Sequence, residues 1–214
     1  MTDERPEPAP DAPVFFLSYA RAGHSRPEVV QALHSRLSEH VDEMMALPAG
    51  RRPGFVDPSP AGGQKWTEEL AFAVGHCQVF VPLLSARYFS SEWCAREWDA
   101  FARRDVKPQI AGADRGTSVI PVVWNALPPD AGLPEAVARI QRFTPTGPPP
   151  DVASAYRDEG MYGLFWIGDP GRGMFEAATW RLAQRVVRAV YERWVEPRVT
   201  TDMAALRDDF GAVA

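Results

Sequence analysis

Residues 14–18 read VFFLS, a continuous apolar run near the start of the chain. The run does not alternate between apolar and polar residues, so it predicts a strand that is buried on both faces. Strands of that kind are typical of parallel sheets, in which helices connect one strand to the next and cover the sheet. This stretch therefore favours an α/β fold.

The rest of the chain continues the alternation of strands and helices. Apolar runs predict strands at 14–18, 54–57, 79–84 and 119–123, and apolar residues at helical spacing predict helices over 27–47, from 66, from 91 and over 175–194. Residues 144–173 are rich in Pro and Gly, and we expect loop there with a short helix at 153–159. Pro82 and Pro121 fall inside predicted strands and are expected near a strand end or a bulge. The order predicts a doubly wound parallel sheet of about five strands flanked by helices.

Length and composition indicate one globular domain. The chain has 214 residues, of which 45% are hydrophobic and 24% charged, and its formal net charge is −5. That charge argues against non-specific binding to nucleic acid or to an acidic membrane. We expect a disordered Pro/Asp/Glu-rich leader at 1–13, a domain over 14–195 and an acidic C-terminal tail at 196–214.

Cys77 and Cys94 are too few for a disulfide scaffold, and no His/Cys cluster at metal-ligand spacing accompanies them. Both are expected to be reduced thiols, and we predict no metal. The N-terminus has no signal-peptide pattern, and no apolar run approaches the ~20 residues of a membrane span. These features predict a cytoplasmic protein without a membrane partner.

The segment SSEWCAREWDAF, residues 90–101, places a carboxylate among aromatic side chains. On a helix, Glu97 falls between Trp93 and Phe101 rather than in the charged arc. In a doubly wound sheet the ligand crevice lies outside the carboxyl ends of the strands, where the winding reverses. A helix that begins at Ser91 after the third strand projects Trp93 and Glu97 toward that crevice.

Three groups of residues, in this order and spacing, resemble the TIR domain family over residues 14–124. The family's first signature is similar to Phe15-Phe16-Leu17-Ser18-Tyr19-Ala20. Its second strand and BB loop are similar to Phe55-Val56-Asp57 with Gly63 and Trp66. The stretch around the family's glutamate is similar to Leu84-Ser85 through Tyr88, Ser91, Trp93, Cys94 and Glu97. FFLSYAR and REWDAF are also similar to TIR-like proteins of actinobacterial gene clusters, the FxsC group. The resemblance implies a flavodoxin-like TIR fold.

Many TIR domains cleave NAD⁺ between nicotinamide and ribose, and the resemblance implies the same reaction here, in bacterial defence or signalling. The products implied are nicotinamide and ADP-ribose or a cyclic ADP-ribose, and NAD⁺ is a substrate, not a redox cofactor. Glu97 matches the family's catalytic glutamate. Substrate-binding positions are implied for Trp93, Tyr19, Arg21 and Asp57.

Other interpretations stay open at this stage. Glu97 can be an ordinary carboxylate near a helix N-terminus, Trp93 a core residue, Asp57 a loop brace and Arg21 a solvated charge. The chain can also be a non-catalytic TIR module that self-associates or binds other TIR domains. Its predicted BB-loop contacts are Pro58, Pro60, Gly62, Gly63 and Trp66. A receiver domain would need a phosphorylatable Asp at the end of the third strand, where Leu84-Ser85 stands instead.

Overall fold

A parallel sheet forms the centre of the computed structural model, which describes residues 7–21, 27–48, 50–57, 66–112, 116–127 and 132–211. The strands are β1 (Phe15–Tyr19), β2 (Gly54–Val56), β3 (Val79–Leu84), β4 (Val106–Pro108), β5 (Val122–Val123) and β6 (Arg193–Val195). Four of them form the parallel sheet in the order β2-β1-β3-β5. The predicted α/β class and doubly wound arrangement are confirmed.

Helices cover this sheet and connect its strands. They are α1 (Pro27–Met45), α2 (Glu68–His76), α3 (Ala86–Phe89), α4 (Glu92–Ala102), α5 (Glu135–Ala138), α6 (Val152–Trp166) and α7 (Gly171–Glu192), with a 3₁₀ turn at Met203–Ala205. The apolar positions of α1 that recur at helical spacing are its buried residues, Val29, Val30, Leu33, Leu37 and Val41. The predicted period therefore identifies the face of α1 that packs on the core.

Both faces of β1 are buried, as the apolar run predicts. Phe15 and Leu17 point into a cluster with residues of α1 and α7, while Phe16 points into a second cluster with residues of α2 and α4. Because successive side chains of a strand point to opposite faces, one unbroken apolar run supplies both cores.

Two prolines interrupt the ladder between β3 and β5 at the same level. Phe80 is bridged to Val119 and Leu83 pairs with Val122, a register that places Pro82 beside Pro121. Pro82 lies inside β3 and Pro121 directly before β5. Since proline has no N–H, the break falls where neither residue can donate, and this limits β5 to two residues.

A two-stranded antiparallel ladder, β4 with β6, was not predicted. The predicted helix over 175–194 is wrong at its end, because α7 stops at Glu192 and the chain becomes extended at Arg193. Trp194 and Val195 continue the apolar pattern of α7 and are buried in β6 instead. Pairing with β4 gives the backbone of β6 the hydrogen bonds that a continued α-helix would have provided.

The predicted short helix at 153–159 is the first half of a longer element. Helix α6 continues to Trp166 across a kink at Gly160, where φ is +67°. A Cβ at this position would lie 2.4 Å from the carbonyl oxygen of Trp124, so the backbone approaches too closely for any other residue. This contact anchors α6 to the end of β5.

The two terminal segments also contact the domain. Of the predicted leader, residues 1–6 lie outside the described residues, and within 7–13 Ala12 is fully buried. Residues 196–211 return across α2 and α4: the Arg198 amide donates to the Gly75 carbonyl at 2.9 Å, and the Arg207 amide donates to the Asp99 carboxylate at 2.9 Å. We call residues 196–211 the C-terminal strap.

Candidate active site

The ends of β1 and β2 bring three of the predicted site residues into contact. Arg21 pairs with the Asp57 carboxylate at 3.2 Å and also donates to the Asp57 carbonyl oxygen. Its Nε donates to the Tyr19 hydroxyl at 3.0 Å. Burial raises the pKa of Tyr19, and the neighbouring guanidinium opposes that shift. The arginine therefore joins two adjacent strand ends.

Helix α4 supplies the other two predicted residues. Ser91 caps its N-terminus, accepting a hydrogen bond from the Cys94 amide at 3.2 Å. Trp93 and Glu97 lie one turn apart, so both project from the same face. Glu92, in the same first turn, is exposed.

The carboxyl group of Glu97 is buried, with 3% of the residue exposed. It accepts a 2.5 Å hydrogen bond from the Ser18 hydroxyl, and the Tyr88 hydroxyl lies 3.1 Å from that same Ser18 oxygen. Burial raises the pKa of Glu97 to about 8, with the Ser18 hydrogen bond acting in the opposite direction. This raised pKa favours the protonated form of the carboxyl group at neutral pH.

The indole of Trp93 lies beside this carboxyl group in the same cleft. Its buried Nε1 approaches Glu97 closely enough to lower the pKa of the carboxyl group, although not in the geometry of an ordinary hydrogen bond. Trp93 in turn packs edge-on against Trp66, with ring centroids 5.7 Å apart, and Trp66 donates from Nε1 to the Thr200 carbonyl at 2.9 Å. Trp66, predicted as a BB-loop contact, therefore ties the C-terminal strap to the wall of the site.

All five predicted catalytic and substrate-binding residues line one cleft of about 100 Å³. Its walls are formed by Leu17, Tyr19, Arg21, Asp57, Ser91, Trp93 and Glu97. The cleft lies at the carboxyl ends of β1 and β2 and beside the N-terminus of α4, where a doubly wound sheet is expected to bind ligands. We call it the Glu97 cleft.

The remaining predicted BB-loop residues, Pro58, Pro60, Gly62 and Gly63, lie outside the described residues. They follow directly on Asp57, one wall of the Glu97 cleft. Their predicted part in self-association stays a prediction.

Cys94 has the environment of a core thiol. It is 1% exposed and free, as is the buried Cys77. Burial, followed by the nearby Glu97, raises the pKa of Cys94, which opposes formation of a nucleophilic thiolate. In the part of the chain that the structure describes, no group of three or more His, Cys, Asp or Glu side chains is placed to hold a metal ion.

Two residues around Glu97 were not assigned a role from the sequence. Ser18 ends the apolar run of β1, and Tyr88 lies in the short helix α3. In the sequence, Ser18 and Tyr88 belong to the stretches that resemble the TIR family, but no contact with Glu97 was predicted for them. A serine that follows four apolar residues in a strand buried on both faces is a signal of a buried hydrogen bond, because a hydroxyl there must find a partner.

A comparison with protein families agrees with the resemblance found in the sequence. A model described as TIR domain matches residues 15–153, a range that contains every residue of the Glu97 cleft. The chain belongs to the TIR domain family. Among the residues that the structure describes, this TIR chain has no helix long and apolar enough to cross a membrane.

One curated relative of this TIR chain is named for an enzymatic activity. A Brachypodium distachyon protein named probable 2' cyclic ADP-D-ribose synthase BdTIR is 28% identical over 126 residues, which is 58% of the chain. The aligned part is 47% of that protein, so the chain spans about half the length of the relative that it matches.

Proposed function

We propose that this TIR chain cleaves NAD⁺ between nicotinamide and ribose in the Glu97 cleft. The observation that carries the proposal is the buried carboxyl group of Glu97, held by Ser18 and flanked by Trp93 at the carboxyl edge of a parallel sheet. The family match and the name of the plant relative support the same chemistry.

The role of Glu97 follows from the charge that develops in the reaction. The bond between the ribose C1 and the nicotinamide nitrogen breaks, its electron pair leaves with neutral nicotinamide, and the ribosyl group becomes oxocarbenium-like. A carboxylate beside the ribose stabilises that cation and can accept hydrogen bonds from the ribose hydroxyls. Water then adds to C1 and loses a proton to give ADP-ribose, or a hydroxyl of the same molecule adds to give a cyclic product.

The raised pKa of Glu97 is compatible with this role because the substrate itself is cationic at the nicotinamide ring. A positive charge close to a carboxyl group favours its ionised form, so bound NAD⁺ would lower the pKa of Glu97 from about 8. The carboxylate would then form as the cationic ring binds beside Glu97, and its proton would pass to solvent.

The other residues of the cleft have complementary roles. Trp93 offers a ring face beside Glu97 for stacking on the substrate. Arg21 keeps a buried Nη1 that makes no hydrogen bond to the described residues, and this donor suits the pyrophosphate. Asp57 holds Arg21 in place through a partly buried ion pair.

Product analysis tests the proposal. Concentrated protein is incubated with NAD⁺ in crowded solution, and nicotinamide, ADP-ribose and cyclic ADP-ribose are separated by chromatography. We expect nicotinamide together with one of the two ribosyl products, and none of them with Glu97→Ala. Turnover that is undiminished in Glu97→Ala would remove this residue from the mechanism. A role in bacterial defence or signalling would require that expression of the active chain lowers cellular NAD⁺.

The volume of the cleft favours a second candidate, a non-catalytic TIR module that acts through self-association or through other TIR domains. Sites that enclose small molecules usually measure about 300–1,000 Å³, whereas the Glu97 cleft measures about 100 Å³. Sedimentation velocity separates the two. Self-association that is lost on proline insertion at 61–64, in a chain that releases no nicotinamide even when assembled, would establish the scaffold role instead.

A further inference from the structure

A second concavity, of about 370 Å³, lies between the N-terminal approach to β5 and helix α7. It shares no lining residue with the Glu97 cleft. Its lining combines apolar side chains from the segment before β5 with polar and cationic side chains of α7 and of the segment between residues 141 and 146. The volume is in the range of sites that bind small molecules.

Arginine dominates this cleft, which we call the arginine cleft. Four of its lining residues are arginines, and none of its described lining residues is Asp or Glu. Glu192, at the end of α7 and outside this lining, pairs with Arg188 at 2.5 Å, and the pKa of Glu192 is lowered, chiefly by that hydrogen bond. Four guanidinium groups around one concavity, in a chain of net charge −5, make a local positive field.

The arrangement has a simple origin in the sequence. Arg181, Arg185 and Arg188 recur at i, i+4 and i+7 on α7, so they share one face of the helix. Residues between them, Leu182 and Val186, are fully buried and fix α7 against the core. Arg188 is already paired with Glu192, whereas Arg181 and Arg185, one turn apart, repel each other, and an anion between them would offset that repulsion.

The floor of the arginine cleft is formed by apolar side chains. Val119, Ile120 and Phe143 are at least nine-tenths buried, and the Phe143 amide donates to the Pro121 carbonyl at 2.8 Å. Arg142, on the segment opposite α7, completes the rim. A ligand would thus meet cations from two separate parts of the chain and an apolar surface beneath them.

Arg181, which lines the arginine cleft, has a buried N–H donor without a hydrogen-bond partner among the described residues. Its Nη1 donates to the Gln184 side-chain oxygen at 2.9 Å, while its Nε is buried and has no hydrogen-bond partner among the described residues. A buried guanidinium donor without an acceptor is costly, and a phosphate oxygen is the acceptor that its geometry suits best.

We infer that the arginine cleft binds a small molecule that carries a diphosphate group. Two or more guanidinium groups can each hold a phosphate, and the apolar floor can contact an attached ring or chain. The concave shape and the negative net charge of the chain favour a compact ligand over a nucleic acid backbone, which needs an extended basic surface. The site is independent of the proposed reaction at Glu97.

Titration calorimetry with ADP and with inorganic pyrophosphate tests the inference, with adenosine as the uncharged control. We expect both diphosphates to bind the wild-type chain and adenosine not to bind. ADP binding tighter than pyrophosphate would show that the apolar floor contributes, and equal affinity would assign the site to the diphosphate alone. A matched titration of Arg21→Gln, which removes the donor proposed for the pyrophosphate in the Glu97 cleft, should give the same diphosphate affinity as wild type, and a lost affinity would place the binding in that cleft instead.

Substitutions locate the binding. The double variant Arg181→Gln/Arg188→Gln should bind at least about tenfold more weakly, since it removes two donors of charge-assisted hydrogen bonds. Arg142→Gln, on a different segment, provides an independent test if the double variant fails to fold. Arg52→Gln is the control: Arg52 is exposed and lines neither cleft.

Three results would overturn the inference. They are no diphosphate binding by wild-type protein at millimolar concentration, unchanged affinity in both cleft variants, and tight binding of a DNA duplex by a chain that does not bind ADP. The first would leave the arginines as a solvated helix face, the second would place the site elsewhere, and the third would make this surface a nucleic-acid contact.

Discussion

Ser18 donates a 2.5 Å hydrogen bond from its hydroxyl to Oε2 of Glu97, a residue 79 positions further along the chain. The Tyr88 hydroxyl lies 3.1 Å from the same serine oxygen, and all three residues are buried. A strand, a one-turn helix and α4 therefore meet at one hydrogen-bonded group, whose acidic member lines the Glu97 cleft.

Ser18→Ala should raise the pKa of Glu97. The serine hydrogen bond favours the ionised carboxylate, and a hydrogen bond to a charged group contributes about 1.5–3 kcal/mol, which corresponds to a shift of about 1–2 pH units. Carboxyl NMR titration of wild type and variant measures the shift. Ser118→Ala is the control, since Ser118 is buried and its hydroxyl has no hydrogen-bond partner among the described residues. An unchanged or lowered pKa in Ser18→Ala would count against the assigned contact.

The free energy of unfolding of Glu97→Gln should rise relative to that of wild type as the pH rises. The folded protein holds the Glu97 proton up to about pH 8, whereas the unfolded chain releases it near pH 4.5, so the unfolded state binds fewer protons between these values. The free energy of unfolding of the wild type therefore falls in this window, by at most about 1.4 kcal/mol per pH unit, relative to the glutamine variant. Urea unfolding at pH 5, 6, 7 and 8 measures the difference.

The control for that series is Glu92→Gln, on the exposed face of the same helix. Its difference from wild type should not grow with pH. A Glu97→Gln difference that is flat, or that shrinks as the pH rises, would mean that Glu97 is ionised in the folded protein.

Phe210→Ala should destabilise the domain by about 3 kcal/mol, in the range for a buried phenylalanine. The Phe210 ring packs against Tyr88, Phe89 and Trp98 at centroid distances of 5.4, 5.9 and 5.9 Å, and the residue is 8% exposed. Thermal unfolding measures the loss. Val199→Ala, in the same strap at a residue 45% exposed, should cost far less. Equal effects of the two substitutions would mean that the strap is not anchored through Phe210.

Arg104→Met should be more damaging than the removal of any surface arginine. Arg104 is 5% exposed and donates to the carbonyl oxygens of four residues, Val74, Cys77, Val195 and Glu196. These carbonyls would be left without this donor, and each buried unsatisfied group costs about 1–3 kcal/mol. Chemical unfolding against an Arg87→Met control checks this, since Arg87 is exposed on α3. If Arg104→Met lowers the free energy of unfolding by no more than Arg87→Met does, the four hydrogen bonds of Arg104 do not stabilise the fold as described.

The sequence predicted the parallel core because its signals are local. The unbroken apolar run of β1 and the helical period of α1 are each complete within one segment. The β4–β6 ladder was missed because Trp194 continues the apolar spacing of α7, and only its pairing with Lys107 of β4, 87 residues earlier (194 − 107), makes that segment extended. Long-range pairing of short strands leaves little local pattern.

The sequence predicted which side chains lie at the carboxyl edge of the sheet, but not the contacts that they make there. Spacing on α4 placed Glu97 among aromatics, and strand ends placed Tyr19 and Asp57 near it. The Ser18 hydrogen bond and the strap contact at Trp66 depend on partners 79 and 134 residues away, respectively, so no window of sequence displays them. The arginines of α7 were visible as an i, i+4, i+7 series, but their cleft exists only once residues 141–146 pack beside it.

Nicotinamide release by matched glutamate variants tests the central claim most directly. Wild type, Glu97→Gln and Glu92→Gln are assayed with NAD⁺ at equal concentration and with equal far-UV circular dichroism. The account predicts that Glu97→Gln lowers kcat by at least about 100-fold, as for the loss of one main electrostatic contribution to a transition state, while Glu92→Gln retains wild-type turnover. Wild-type nicotinamide release by Glu97→Gln would contradict it.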